Sequence, residues 1–270
     1  MKVFHRGSGL LLLWWAHASL TAPAAWGGGM AQGKGSWSPS FEISSPIVTL
    51  HEPIYVEFSV RNGTNEQREF DLGKNRKTGF EFTVIEPDGR ATGPLRLTEA
   101  GFGAPGRITL APGQTYTQKL LLNEWYGFPG PGDYKLQARF VAPSGSRTGL
   151  QRVTYPLQEM DVRVGPRNPK RLEQLCQSLR ETAGSESPSD SYFAGLALSY
   201  VEDVVAIPYL EHLAGESESL RGTAVAGLGR IANAEGVERV IASLNSKDPR
   251  LISEIRTQVE YIRHGVKVAD

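Results

Sequence analysis

The stretch FAGLALSYVEDVVAIPYLEHLAGESESLRGTAVAGLGRIANAEGVERVIASLNSKDPRLISEIRTQVEYI, residues 193–262, carries one helical pattern three times. Ala194, Leu198 and Val201 return as Ala224, Leu228 and Ile231, and again as Ile255, Val259 and Ile262. Each triplet has the i, i+4, i+7 spacing that sets three apolar side chains on one helical face. A second set, Ile207 and Leu210, is echoed by Val237 and Val240. The unit is therefore a pair of helices. A pair this short cannot bury its apolar face alone, and stacking neighbours into a short α-solenoid solves that problem. No catalytic constellation accompanies the pattern, so it defines an architecture and leaves the reaction or ligand open.

Upstream of this stretch the period changes from 3.6 to two. In IYVEFSV, Ile54, Val56, Phe58 and Val60 alternate with Tyr55, Glu57 and Ser59, the mark of a half-buried strand. The alternation returns at Phe70 and Leu72, at Phe80, Phe82 and Val84, at Ile108 and Leu110, in QTYTQKLLL, at Tyr134 to Phe140, and at Met160, Val162 and Val164. Asn62-Gly63, Pro87-Asp88-Gly89, Pro112-Gly113, Pro131-Gly132 and Ser144-Gly145 separate the runs with turn chemistry. Seven or eight short strands so punctuated predict an antiparallel β-sandwich. Gly63 and Gly89 are expected to serve the backbone. The expected fold class is multi-domain, all-β followed by all-α.

The first residues read as an address. Lys2 and Arg6 form a positive n-region, and the apolar run from Leu10 to Ala16 is too short to span a bilayer. Cleavage options are Ala22-x-Ala24 and the small residues near Ala31, with Met30 as an alternative start. The expected organisation is a signal peptide (1–31), a flexible leader (32–40), the β-sandwich (41–164), a proline-containing linker (165–170) and the helical repeats (171–270). The product is expected to be exported, periplasmic or extracellular, with no membrane span in the mature chain. The formal net charge of zero argues against a nucleic-acid partner. Cys176 is the single cysteine, so no intrachain disulfide forms; sharing a helical face with Leu172 and Leu179, it is expected to be a buried, inert thiol.

Two segments resemble known families. ITLAPGQTYTQKLLLNEWYGFPGPGDYKLQARF (108–140) resembles the later half of small immunoglobulin-like domains in bacterial exported proteins, and is similar to the intracellular proteinase inhibitor family of bacilli. AIPYLEHL (206–213) and SLRGTAVAGLGRIANAEGVERVIASL (219–244) resemble HEAT repeats of the short type, named also for phycobilin lyases; Ile207-Pro208 matches the family's opening and GLGRI (227–231) its close. Glu238 stands where the second opening usually has proline, and Ile255 where the earlier repeats have alanine. These resemblances imply an immunoglobulin-like β-sandwich followed by HEAT-like repeats. Pro208 suits a first helical turn, whereas Gly227 and Gly229 weaken their helix by about 1 kcal/mol each and so predict close helix approach.

Candidate chemistry is sparse. His51, His212 and His264 are too scattered for zinc, and no Cys/His spacing supports a metal or organic cofactor. His212 is expected on the surface and His264 in a terminal helical turn. Glu202, Asp203, Lys247 and Asp248 read as caps and solvated turns; Ser189 or Asp190 is expected to cap the second helix. The run GFGAPG at Phe102 lacks the strand-to-helix context of a phosphate loop. Asn62-Gly63-Thr64 reads as a hairpin turn or, in a eukaryotic secretory pathway, a glycan acceptor. No catalytic, cofactor-binding or metal residue is assigned. The segment NEWYGFPGPG carries Trp125, Tyr126 and Phe128, which either project as a partner-binding loop or fold back as a plug. The leading reading is a non-catalytic interaction or scaffold protein with an unidentified protein partner; the alternatives are a protease inhibitor and an accessory or lyase-like factor.

Overall fold

The computed structural model describes residues 37–72, 77–96, 106–141 and 155–264. The signal (1–31), the run at Phe102 and the turn at Ser144 lie outside them. Among the described residues ten strands come first: β1 (Trp37–Ile43), β2 (Ile47–Thr49), β3 (Tyr55–Asn62), β4 (Arg68–Asp71), β5 (Phe80–Ile85), β6 (Ala91–Leu95), β7 (Arg107–Leu110), β8 (Thr115–Leu121), β9 (Gly132–Phe140) and β10 (Gln158–Gly165). They form a three-stranded sheet β1-β3-β8, a five-stranded sheet β2-β10-β9-β5-β6 and the ladder β4-β7. All pairings are antiparallel except β2 with β10. The inward residues of the larger sheets share one core. There Phe58 meets Phe80 and Phe140 across the sheets, at ring separations of 4.8 and 5.5 Å. Each ring so buried contributes roughly 1.5–3 kcal/mol.

Three strands were not legible as strands. Trp37 to Ser40, expected in the flexible leader, belong to β1 and pair with β3. Pro39 disguises the strand, but at an edge a missing backbone donor costs no ladder bond. The same amide geometry explains how β1 is finished: the Gln158 side chain accepts from Phe41 N at 2.7 Å and donates to Pro39 O at 3.1 Å. Gly93 and Pro94 likewise hide β6, an edge strand, and β2 is three residues long.

Gly89 and Gly113 take positive φ at their turns, as backbone-serving glycines do. Asn62 makes its own turn. Its fully buried side chain donates to Glu66 O and Leu110 O and accepts from Thr64 N and Thr64 Oγ1. An amide nitrogen committed in this way is not accessible to a glycosyltransferase in the folded chain.

Six helices follow among the described residues: α1 (Pro169–Ala183), α2 (Pro188–Ser199), α3 (Ile207–Glu216), α4 (Glu218–Glu235), α5 (Val237–Ser243) and α6 (Pro249–His264). Strands and helices fall in one contact unit. The caps repeat with the sequence: Ser187 accepts from Asp190 N and Ser217 from Leu220 N. Ser187, not Ser189 or Asp190, caps α2, because Pro188 at the first helical position fixes the start. Ala194, Leu198, Val201, Ala224, Leu228, Ile231, Ile255 and Val259 are all in the helical core. Ile262 is 37% exposed, since it lies in the last turn of α6.

The glycine expectation holds. A Cβ on Gly227 would lie 2.8 Å from Ser199 Cα in α2, and one on Gly229 would lie 2.4 Å from Gln258 Cγ in α6. Thus α4 approaches α2 and α6 along two separate small-residue positions.

Candidate functional site

The aromatic segment follows a single 3-10 turn, Leu122–Glu124. Trp125 N donates to Leu122 O at 2.9 Å, which turns the chain inward. The Trp125 ring is 8% exposed and meets Phe82 edge-on at 5.1 Å. Tyr126 and Phe128 are half-buried against the same core. Their rings meet at 5.1 Å, and Phe128 meets Tyr134 at 5.0 Å. Burial, then the hydrogen bond to Glu86, raises the Tyr126 hydroxyl above its usual range. The projecting arrangement expected of a binding loop is not what forms; the rings close the end of the strand core. The prolines and glycines that bar regular structure also let the segment double back, and buried ring area outweighs displayed ring area. Trp125 Nε1 is buried without a hydrogen-bond acceptor, so apolar packing alone holds the indole.

The helical face offers more open surface. Between α4 and α6 lies a groove of about 530 Å³, with Glu218, Arg221, Gly222 and Val225 on one side and Arg250 and Glu254 on the other. Arg221 is its central cation, 3.0 Å from Glu254 Oε2 and donating to Ala214 O at 2.9 Å. A Cβ on Gly222 would meet nothing within 4 Å, and the residue is exposed, so the groove is open beside it.

The remaining candidates fall apart spatially. His212 pairs with Glu216 and His264 with Glu260, each one helical turn away. His51 sits in a turn with φ 70°. Cys176 is fully buried, and desolvation first, then Asp203 and Glu173, pushes its thiol up to about 12. Asp203 is buried rather than solvated. It caps the 3-10 turn Val204–Ala206 and takes Arg167 at 2.5 and 2.9 Å. Burial opposes its ionisation, but Arg167 and the Val205 amide prevail and the pKa is lowered. Among the described residues no group of three His, Cys, Asp or Glu side chains is placed to hold a metal.

No protein-family model matches the sequence, and no curated protein is similar to it by sequence. Among solved structures, a β-glucosidase from Listeria innocua aligns at 12% identity over 48% of this chain and 16% of its own, with a TM-score of 0.27. The CARDB domain of the PF1109 protein from Pyrococcus furiosus aligns at 10% identity over 49% and 90%, TM-score 0.26. The sporulation control protein Spo0M from Bacillus subtilis aligns at 11% over 54% and 56%, TM-score 0.25. This chain thus spans under a fifth of the β-glucosidase. Likeness at this level leaves fold and function to be argued from the chain itself.

Sequence reading found the cap at Asp203 but missed its partner Arg167, and missed Tyr55, Lys119 and Phe193, which join strands to helices. One signal was available: Phe193, Ala197 and Tyr200 repeat the i, i+4, i+7 spacing on a second face of α2.

Proposed function

We propose that this chain is an exported, non-catalytic protein-binding scaffold, an immunoglobulin-like β-sandwich followed by a short HEAT-type array whose partner lies in the groove between α4 and α6. The observation that carries the reading is that groove: two neighbouring helices present polar side chains around an unfilled position at Gly222. Repeated helix pairs characteristically bind through extended surfaces of this kind. The two-sheet core and the paired helices support the architecture; the n-region and apolar run near the N-terminus support export. An inhibitor acting through Trp125, Tyr126 and Phe128 would need those rings presented outward, and they are turned in. Among the described residues no helix is long and apolar enough to cross a membrane.

Gly222→Gln tests the proposal, because it fills the groove while improving helix propensity by up to about 1 kcal/mol. Pull-down from the native extracytoplasmic fraction is expected to retain a partner with the wild-type chain and to lose it with the variant. A partner held equally by both would rule out the groove. Recovery of the uncleaved chain from the cytoplasm, with Met1 intact, would rule out export.

A further inference from the structure

We infer that the strand-bearing part caps the helical array: the end of the β1-β3-β8 sheet takes the place a preceding helix pair would fill, so the two parts unfold as one unit. The argument comes from comparing equivalent positions thirty residues apart. In α4, Gly227 and Arg230 face α2: Gly227 lies against Ser199, while Arg230 stands 3.8 Å over the Tyr200 ring and donates to Ser199 O at 3.0 Å. The same positions in α2 and at its C-terminal cap are Ala197 and Tyr200, with Phe193 where α4 has Thr223. Phe193 meets the sheet and Tyr200 the loops beside it.

Phe193 and Tyr55 have ring centroids 5.7 Å apart, with Lys119 Nζ 4.2 Å from the Tyr55 centroid and 5.5 Å from that of Phe193. Tyr200 closes a cavity of about 20 Å³ with Thr49, Ile54 and Asn123. Ala197 is fully buried yet outside the helical core, and Leu121, opposite Tyr55 on the outer face of the sheet, is fully buried yet outside the strand core. Ala197 stands one turn from Phe193 and Leu121 beside Tyr55, the two rings that meet, so both are placed on the side of their element where α2 meets the sheet. The Tyr55 hydroxyl is pushed up to about 12, by burial first and then by Glu52.

Charge pairs and backbone contacts fix the same zone. Arg171 in α1 holds Glu52 at 2.8 Å, and Thr49 Oγ1 donates to Pro166 O at 2.5 Å. A repeat array exposes an apolar face at each end unless something polar or foreign covers it. Here the covering element is the sheet, and the helical part depends on it.

Tryptophan placement gives the test. Trp14, Trp15 and Trp26 fall within residues 1–31 and no tryptophan follows Trp125, so once that segment is removed indole fluorescence reports the strands while circular dichroism at the helical minimum reports the helices. In urea, the two unfolding curves of the remaining chain are expected to coincide. Ile255→Val, a small cavity in α6 far from the sheet, is expected to shift both midpoints equally; Phe193→Ala is expected to lower the helical midpoint. Separate wild-type curves, an Ile255→Val effect confined to the helical signal, or a Phe193→Ala midpoint unchanged from wild type would each overturn the inference.

Discussion

Gly222 and Gly227 stand five residues apart in α4 and are expected to answer alanine with opposite signs. Helix propensity favours alanine at both by about 0.8–1 kcal/mol. At Gly222 nothing lies within 4 Å of the new methyl, so Gly222→Ala should raise stability by roughly that amount. At Gly227 the methyl would lie 2.8 Å from the Ser199 Cα, a backbone atom. Overpacking of this kind costs about 1–3 kcal/mol and outweighs the propensity gain. Urea midpoints decide it; a stabilised Gly227→Ala would mean that α2 and α4 are not in close contact. Leu228, fully buried in the helical core, should lose about 2–5 kcal/mol as alanine, and a loss below about 0.5 kcal/mol would put it on the surface. Cys176, buried and with its thiol pushed up to about 12, should react with thiol reagents only at the rate of unfolding. Fast stoichiometric labelling of the native protein would contradict that.

At the scale of elements, the loop between α2 and α3 depends on one ion pair. Asp203 is buried and its pKa lowered in the folded state. Its contribution is therefore complete above the ordinary aspartate value of about 3.9 and is lost as pH falls through the folded value. Asp203→Asn should lower stability at neutral pH and flatten the acid limb of the stability profile below about pH 4. Arg167 is 43% exposed, so the loss should fall short of the ~3–5 kcal/mol of a fully buried pair. An unchanged acid limb would reject the role. This pair also marks where sequence reading stops. The triplet at Ala224, Leu228 and Ile231 was legible because periodicity is local, as were β3, β5 and β9. Arg167 and Asp203 are thirty-six residues apart, and nothing in either neighbourhood names the other. Edge strands fail for a different reason: β6 contains Gly93 and Pro94, which signal turns wherever no neighbouring strand is visible.

For the molecule as a whole, the changeover at 165–170 is pinned along its length rather than loose. Leu50 N donates to Gly165 O, Thr49 to Pro166 O, Arg167 holds Asp203 and Asn168 caps α1. Trypsin should therefore spare the bond after Arg167 in the native chain and cut it once Phe193→Ala loosens the joint. Prompt cleavage there in the wild-type protein would show two independently moving parts. The Trp125 segment shows the same limit of sequence reading at larger scale: three rings among prolines and glycines suggest either display or closure, and only the contact with Phe82, from a distant strand, selects closure. The Gln158 side chain carries a consequence for behaviour in crowded solution. Its amide bonds outward-facing groups of β1, the Phe41 amide and the Pro39 carbonyl, and so occupies the row to which a foreign strand would zip. Bare edges of that sort recruit other chains into aggregates. Gln158→Leu would leave the fold's ladders intact while reopening that row, and the expected result is a protein that folds normally when dilute but turns turbid on concentration.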